Sequence, residues 1–148
     1  MTQSYKYYPF YFLLFSLLLV ISGALLFDEK IGFNVQGVLD YYLGSEAKFT
    51  QPKETSGILK TILPHIFAFG LFSMVLLHFL IFTKENKTMK LKVLIILMFI
   101  TAAIEIFVPF LIINGFTFFA YLKLVSFFLF EALILYSAWL LFVSILDR

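Results

Sequence analysis

Four long apolar runs, residues 9–27, 58–82, 91–113 and 116–146, take up most of the chain and leave one sizeable polar stretch, residues 28–57. About 20 apolar residues suffice to cross a bilayer, and soluble core helices are shorter. Hydrocarbon offers the backbone no hydrogen-bond partner, so each run has to bond to itself as a helix. The alternating ten-residue pattern of a membrane barrel is absent. The expected fold is therefore all-α, a four-helix transmembrane bundle forming a single integral domain over residues 1–148, with lipid as its solvent.

Composition narrows the function classes. Hydrophobic residues make up 62% of the chain and charged residues 14%, gathered in a few clusters. With no cysteine, disulfides, thiolate metal sites, covalent haem attachment and thiol catalysis are ruled out. A net charge of +2 spread over several loops gives no basic face for nucleic acid. No nucleophile elbow, phosphate loop or HExxH motif points to a catalytic constellation of the chain's own.

Lysine bias sets the expected orientation. The loop from Lys84 to Lys92 holds four lysines against Glu85, with Lys6 and Arg148 on the same side of a four-span chain. The lysines of the opposite side, Lys30, Lys48, Lys53 and Lys60, are offset by five carboxylates. The positive-inside rule then places both termini in the cytoplasm. Ser22-Gly23-Ala24 resembles a signal-peptide cleavage site, but the run preceding Asp28 is long enough to span and is read as the first helix. Ser16, Ser22 and Gly23 would let a neighbouring helix come close.

Within the polar stretch, Val35, Val38, Leu39, Tyr42 and Leu43 fall at i, i+3, i+4, i+7 and i+8. That stripe predicts a short amphipathic interfacial helix with Asn34 as its N-cap and Gly44 as its stop. It would lie along the outer membrane surface or dock over the mouth of the bundle. Pro64 sits inside the second span, Pro109 inside the third, and Asn114-Gly115 predicts a tight turn into the fourth.

The ionisable residues inside the spans are the candidate functional groups, because a charge there costs at least a few kcal/mol. At about 1.5 Å per residue, His65, Glu105 and Lys123 lie roughly 9–12 Å from the outer ends of their helices. Glu131 falls near the middle, at roughly 20 Å, and His78 beyond it at roughly 28–30 Å. Glu105 and Lys123 are expected to pair across the hairpin of the last two spans, with His65 near them. Glu131 has no base at its depth, so it is expected to bond Ser73 or Ser137, or to serve as a proton site.

His65 and His78 on one span also suggest b-type haem. Thirteen residues place the two rings roughly 140° apart around the helix and about 20 Å along it, so one haem cannot take both. A haem reading needs a homodimer or a partner subunit.

The run YYLGSEAKFTQPKETSGILKTILPHIFAFGLFSMVLLHFLIF, Tyr41 to Phe82, resembles a family of small uncharacterised four-span bacterial inner-membrane proteins. The shared elements are a tyrosine–glycine segment, a proline–lysine element and a helix with histidines where His65 and His78 stand. Many members carry another histidine where this chain has Leu63, a difference that counts against metal or haem. The resemblance implies a multi-pass protein of the bacterial inner membrane and transfers no activity.

Three functional expectations follow. The chain is a non-catalytic subunit of a membrane assembly, with haem or quinone near the histidines. Alternatively it is a small proton- or ion-coupled transporter using Glu105, Lys123 and Glu131, or an assembly protein whose charges set helix register.

Overall fold

The computed structural model describes residues 4–81, 83 and 88–146, with side chains from Tyr7 onward. Among these residues it contains five helices: α1 (Ser4–Lys30), α2 (Val35–Leu43), α3 (Thr55–Ile81), α4 (Met89–Ile113) and α5 (Phe119–Leu146). Four of them, all but α2, are long and apolar enough to cross a membrane. The charges of Lys84, Glu85, Lys87 and Arg148 and the side chain of Lys6, on which the orientation rests, lie outside the described residues.

The ends of α2 fall where the sequence puts them. Asn34 is extended, and its side chain accepts from the backbone N–H of Gly37 at 2.6 Å. This satisfies one of the donors a helix start leaves open. Gly44, at φ 82°, turns the chain back so tightly that a Cβ there would meet Pro52 N and Thr50 O at 2.7 Å. The helix docks over the bundle mouth: Val38 and Tyr42 are buried in a cluster with Ile58 and Ile62 of α3, Val108 and Ile112 of α4, and Ala120 of α5. Burying such side chains stabilises by about 1.5–3 kcal/mol each relative to water. Ser45 and Thr50 then form an antiparallel bridge, and α3 starts directly after Glu54, whose carbonyl accepts from Ile58 N at 3.1 Å.

α5 sits at the centre, packed against α1, α3 and α4, with α2 across its start. Its hairpin with α4 closes at Gly115, which adopts φ 93°. Thr117 and Phe118 continue the turn, so α5 begins at Phe119 rather than at Phe116. The packed face of α1 carries Ser16, Val20, Gly23 and Phe27, spaced at i, i+4, i+7 and i+11. Ser22, which the sequence groups with this face, is exposed and bonds back to the Leu19 carbonyl.

The two halves of the bundle differ. In the half away from α2, Val20, Leu76, Leu80, Leu94, Met98, Ile134 and Leu141 form a continuous apolar core. There Phe12 of α1 packs on Phe72 and Phe79 of α3, with ring centroids 5.5 and 5.2 Å apart. In the half beneath α2 the helices enclose a cavity.

Candidate functional site

The proline of α4 and the lysine of α5 build the centre of the site together. Pro109 has no N–H, so it cannot donate to the carbonyl four residues back, that of Glu105. Lys123 supplies the missing donor: its Nζ reaches the Glu105 carbonyl at 3.1 Å and also pairs with Glu105 Oε2. Ser126, one turn further along α5, donates to Glu105 Oε1. Both carboxylate oxygens and the orphaned carbonyl of one residue are thus satisfied by two side chains of the neighbouring helix. Glu105 and Lys123 are both buried, at 6% and 7% exposure, so the arrangement stands or falls as a unit. Two of the three Lys123 N–H bonds go to Glu105, which leaves one directed elsewhere.

The pair lines a cavity of about 230 Å³ between α1, α3, α4 and α5 beneath α2. Phe27, Phe69, Phe127 and Phe130 form its apolar walls. Phe27 and Phe127 stack at 3.9 Å and join α1 to α5. The polar groups are Glu105, Lys123, Glu131 and His65, with Thr61, Lys30, Tyr41 and Tyr42 towards the mouth.

Each of the predicted candidates has a definite place. His65 is exposed on α3, and its Nδ1 donates to the Thr61 carbonyl at 2.6 Å. A carbonyl only accepts, so this contact puts the proton on Nδ1 and leaves the Nε2 lone pair as acceptor or ligand. His65 lines the same cavity as the ion pair, but its bond is to its own helix. Glu131 is half-buried, and its Oε2 has no hydrogen-bond partner among the described residues. The expected bonds to Ser73 or Ser137 are not formed. Ser137 donates to the Leu133 carbonyl at 2.7 Å, and Ser73 Oγ is buried with no partner among the described residues. Opposite Glu131 stands Gly23, where a Cβ would come within 3.2 Å of Oε1. His78 is exposed further along α3 and does not line the cavity, so the two histidines are not brought together. No group of three or more His, Asp or Glu side chains among the described residues is arranged to hold a metal ion.

The roof carries its own electrostatics. Asp40 on α2 is bridged by Lys48 at 2.9 Å and accepts from Gln36 at 2.8 Å, and these bonds hold its carboxyl below the ordinary aspartate range. Burial, then Tyr41 and the Glu105 carboxylate, push the Tyr42 phenol above its usual value, so it remains a neutral hydroxyl. Lys53 lies over the Tyr41 ring, 4.1 Å from its centroid, and donates its backbone N–H to the Tyr42 carbonyl.

Sequence reasoning singles out Glu105, Lys123, Glu131 and His65 but not Lys30, Gly23, Tyr41 and Tyr42, which line the cavity with them, nor Ser126, which bonds Glu105 from α5. Two signals for part of this were available: proline four residues after Glu105, and serine three residues after Lys123.

A family model described as a transmembrane helical domain matches residues 32–148, which take in α2 to α5 and every candidate residue. Neither a curated protein nor a solved structure matches the chain. Its apolar helices, its packed bundle and the extent of this match lead to one assignment: the chain belongs to the Aq_1264_TM family of transmembrane helical domains.

Proposed function

We propose that the protein is a non-catalytic subunit of an electron-transfer assembly in the bacterial inner membrane, and that its cavity holds the ring of a quinone. Both termini lie in the cytoplasm, and the α2 end faces the opposite side. The observation that carries this reading is the convergence of Lys123, Tyr42, His65 and Glu131 on one aromatic-walled cavity within the membrane. A quinone ring is flat and apolar, with a carbonyl acceptor at each end. Phe27, Phe127, Phe69 and Phe130 supply ring-shaped apolar surface. The remaining Lys123 N–H and the neutral Tyr42 hydroxyl are donors for a carbonyl, and the Glu131 carboxylate and His65 Nε2 accept from a quinol hydroxyl. Small-ligand sites have this form, an apolar cavity with a few convergent polar groups.

The test is calorimetric titration of the purified protein with a tail-less dimethoxy-methyl benzoquinone. Saturable binding to wild type that is about tenfold weaker in Glu131→Gln supports the reading, tenfold being a typical cost of one hydrogen bond in a buried site. Absence of binding by folded wild type overturns it. So does a reduced-minus-oxidised b-type spectrum that disappears in His65→Ala, which would make haem the occupant.

The unpartnered Glu131 oxygen favours a second reading, a small proton- or ion-coupled transporter. It requires passage through the leucine- and methionine-rich core beyond Glu131. Its test is pH-driven flux in liposomes, lost in Glu131→Gln with folding intact.

A further inference from the structure

A second concavity, of about 300 Å³, lies on the flank of α3 and α4 and is lined by Gly70, Ser73, Phe99, Ala102, Ala103 and Phe107, with Ile66 beside them. It shares two of its walls, Phe69 and Ile106, with the polar cavity, so the two spaces lie back to back across one pair of side chains. Their chemistry is opposite. The inner space holds Glu105, Lys123, Glu131 and His65, with Lys30 at its mouth, whereas the flank is apolar apart from the buried Ser73 hydroxyl. The groove is open at Gly70: beyond its own helix backbone, a Cβ there would meet no atom of the described residues within 4 Å. Gly70, Phe99, Ala103 and Phe107 are all exposed on helices that span the membrane, so the groove opens to lipid.

From this juxtaposition we infer that the ligand is a single-tailed amphiphile. Its ring sits in the inner cavity, and its apolar chain passes between Phe69 and Ile106 to lie along the α3–α4 groove. The inference rests on the quinone-binding reading and adds a substrate class to it, a prenyl- or alkyl-tailed molecule that reaches the site from the bilayer. A chain in the groove covers Ala102, Ala103 and Gly70. Phe69 and Ile106 are both partly buried side chains with rotatable bonds, and together they act as the sleeve through which the chain leaves.

The experiment compares the tail-less benzoquinone with its decyl derivative on full-length protein in lipid nanodiscs. The variants are Gly70→Phe and, on the opposite wall, Ala103→Phe, with Leu26→Trp marking the rival exit past α1. Wild type is expected to bind the decyl form about tenfold more tightly or better, with both affinities referred to the ligand concentration in the lipid so that partition of the tail into the bilayer does not count. Gly70→Phe is expected to abolish that preference and leave tail-less affinity unchanged. Ala103→Phe gives the same readout should Gly70→Phe fail to fold. A decyl preference that survives both groove variants overturns the inference, as does one lost only in Leu26→Trp. If wild type binds neither compound, the quinone-binding reading itself falls, a result distinct from loss of tail discrimination alone.

Discussion

Removal of the Glu105 carboxylate tests the centre of this architecture most directly. In Glu105→Ala, Lys123 keeps the backbone carbonyl but loses its counter-charge while still 7% exposed. Breaking one side of a buried ion pair costs about 3–5 kcal/mol, since the remaining charge stays desolvated. Lys123→Met should cost a similar amount, about 3–5 kcal/mol for the stranded carboxylate. It also strands the carbonyl that Pro109 cannot satisfy, which adds about 1–3 kcal/mol. The double variant has no buried charge, and only the stranded carbonyl remains, at about 1–3 kcal/mol. The singles therefore sum to well above the double, with a coupling energy of about 6 kcal/mol or more, the two stranded-charge costs that the double does not carry. Pro109→Ala refines the test by restoring an N–H to that carbonyl. Its gain in the double background should exceed its gain in wild type by about 1 kcal/mol, because in wild type Lys123 already fills the role. The assay is equilibrium unfolding in mixed micelles followed by circular dichroism. Single variants within about 0.5 kcal/mol of wild type, or an additive double, would refute the claim that carboxylate, ammonium and freed carbonyl form one unit.

Two further predictions concern the roof. Asn34→Ala should cost about 1 kcal/mol by removing the α2 cap, whereas Gly37→Ala should displace α2, since its Cβ would come within 2.0 Å of the Ile31 carbonyl oxygen. Proteolysis between α2 and α3 should therefore rise far more in Gly37→Ala, and equal susceptibility would rule out the close approach. Asp40, held below its ordinary range by Lys48 and Gln36, contributes stability that is present above the unfolded aspartate value and fades as pH falls through the lower folded one. An NMR titration of the Asp40 carboxyl should find the depressed midpoint, and Lys48→Ala should move it up; an unchanged midpoint would show that the bridge does not form in solution.

Much of the fold was legible because the signals for it are local. The α2 stripe, with Asn34 before it and Gly44 after it, is a complete helix specification within eleven residues, and the structure follows it. The shared depth of Glu105 and Lys123 was readable from helix rise alone, and their contact follows once the two spans form a hairpin. The partner of Glu131 was not readable. Depth says how far along a helix a group sits, not which way it points: Ser137 bonds its own helix, and Ser73 has no partner among the described residues. The same gap explains why the sequence groups Ser22 with the packed face of α1, although Ser22 is exposed and it is Gly23 that faces Glu131.

The sequence by itself determined the number, length and helical character of the spans, because each follows from how many apolar residues lie in a row and from the backbone's need to bond to itself in lipid. The tertiary structure alone decided the rotation of each helix about its axis, and with it the cavity. In water a polar face announces which side of a helix is buried. In a bilayer both sides are apolar, so small residues and buried polar pairs select the face. Here that selection was made by Gly23 against Glu131, by Phe27 on Phe127, and by Lys123 filling the bond that Pro109 leaves open.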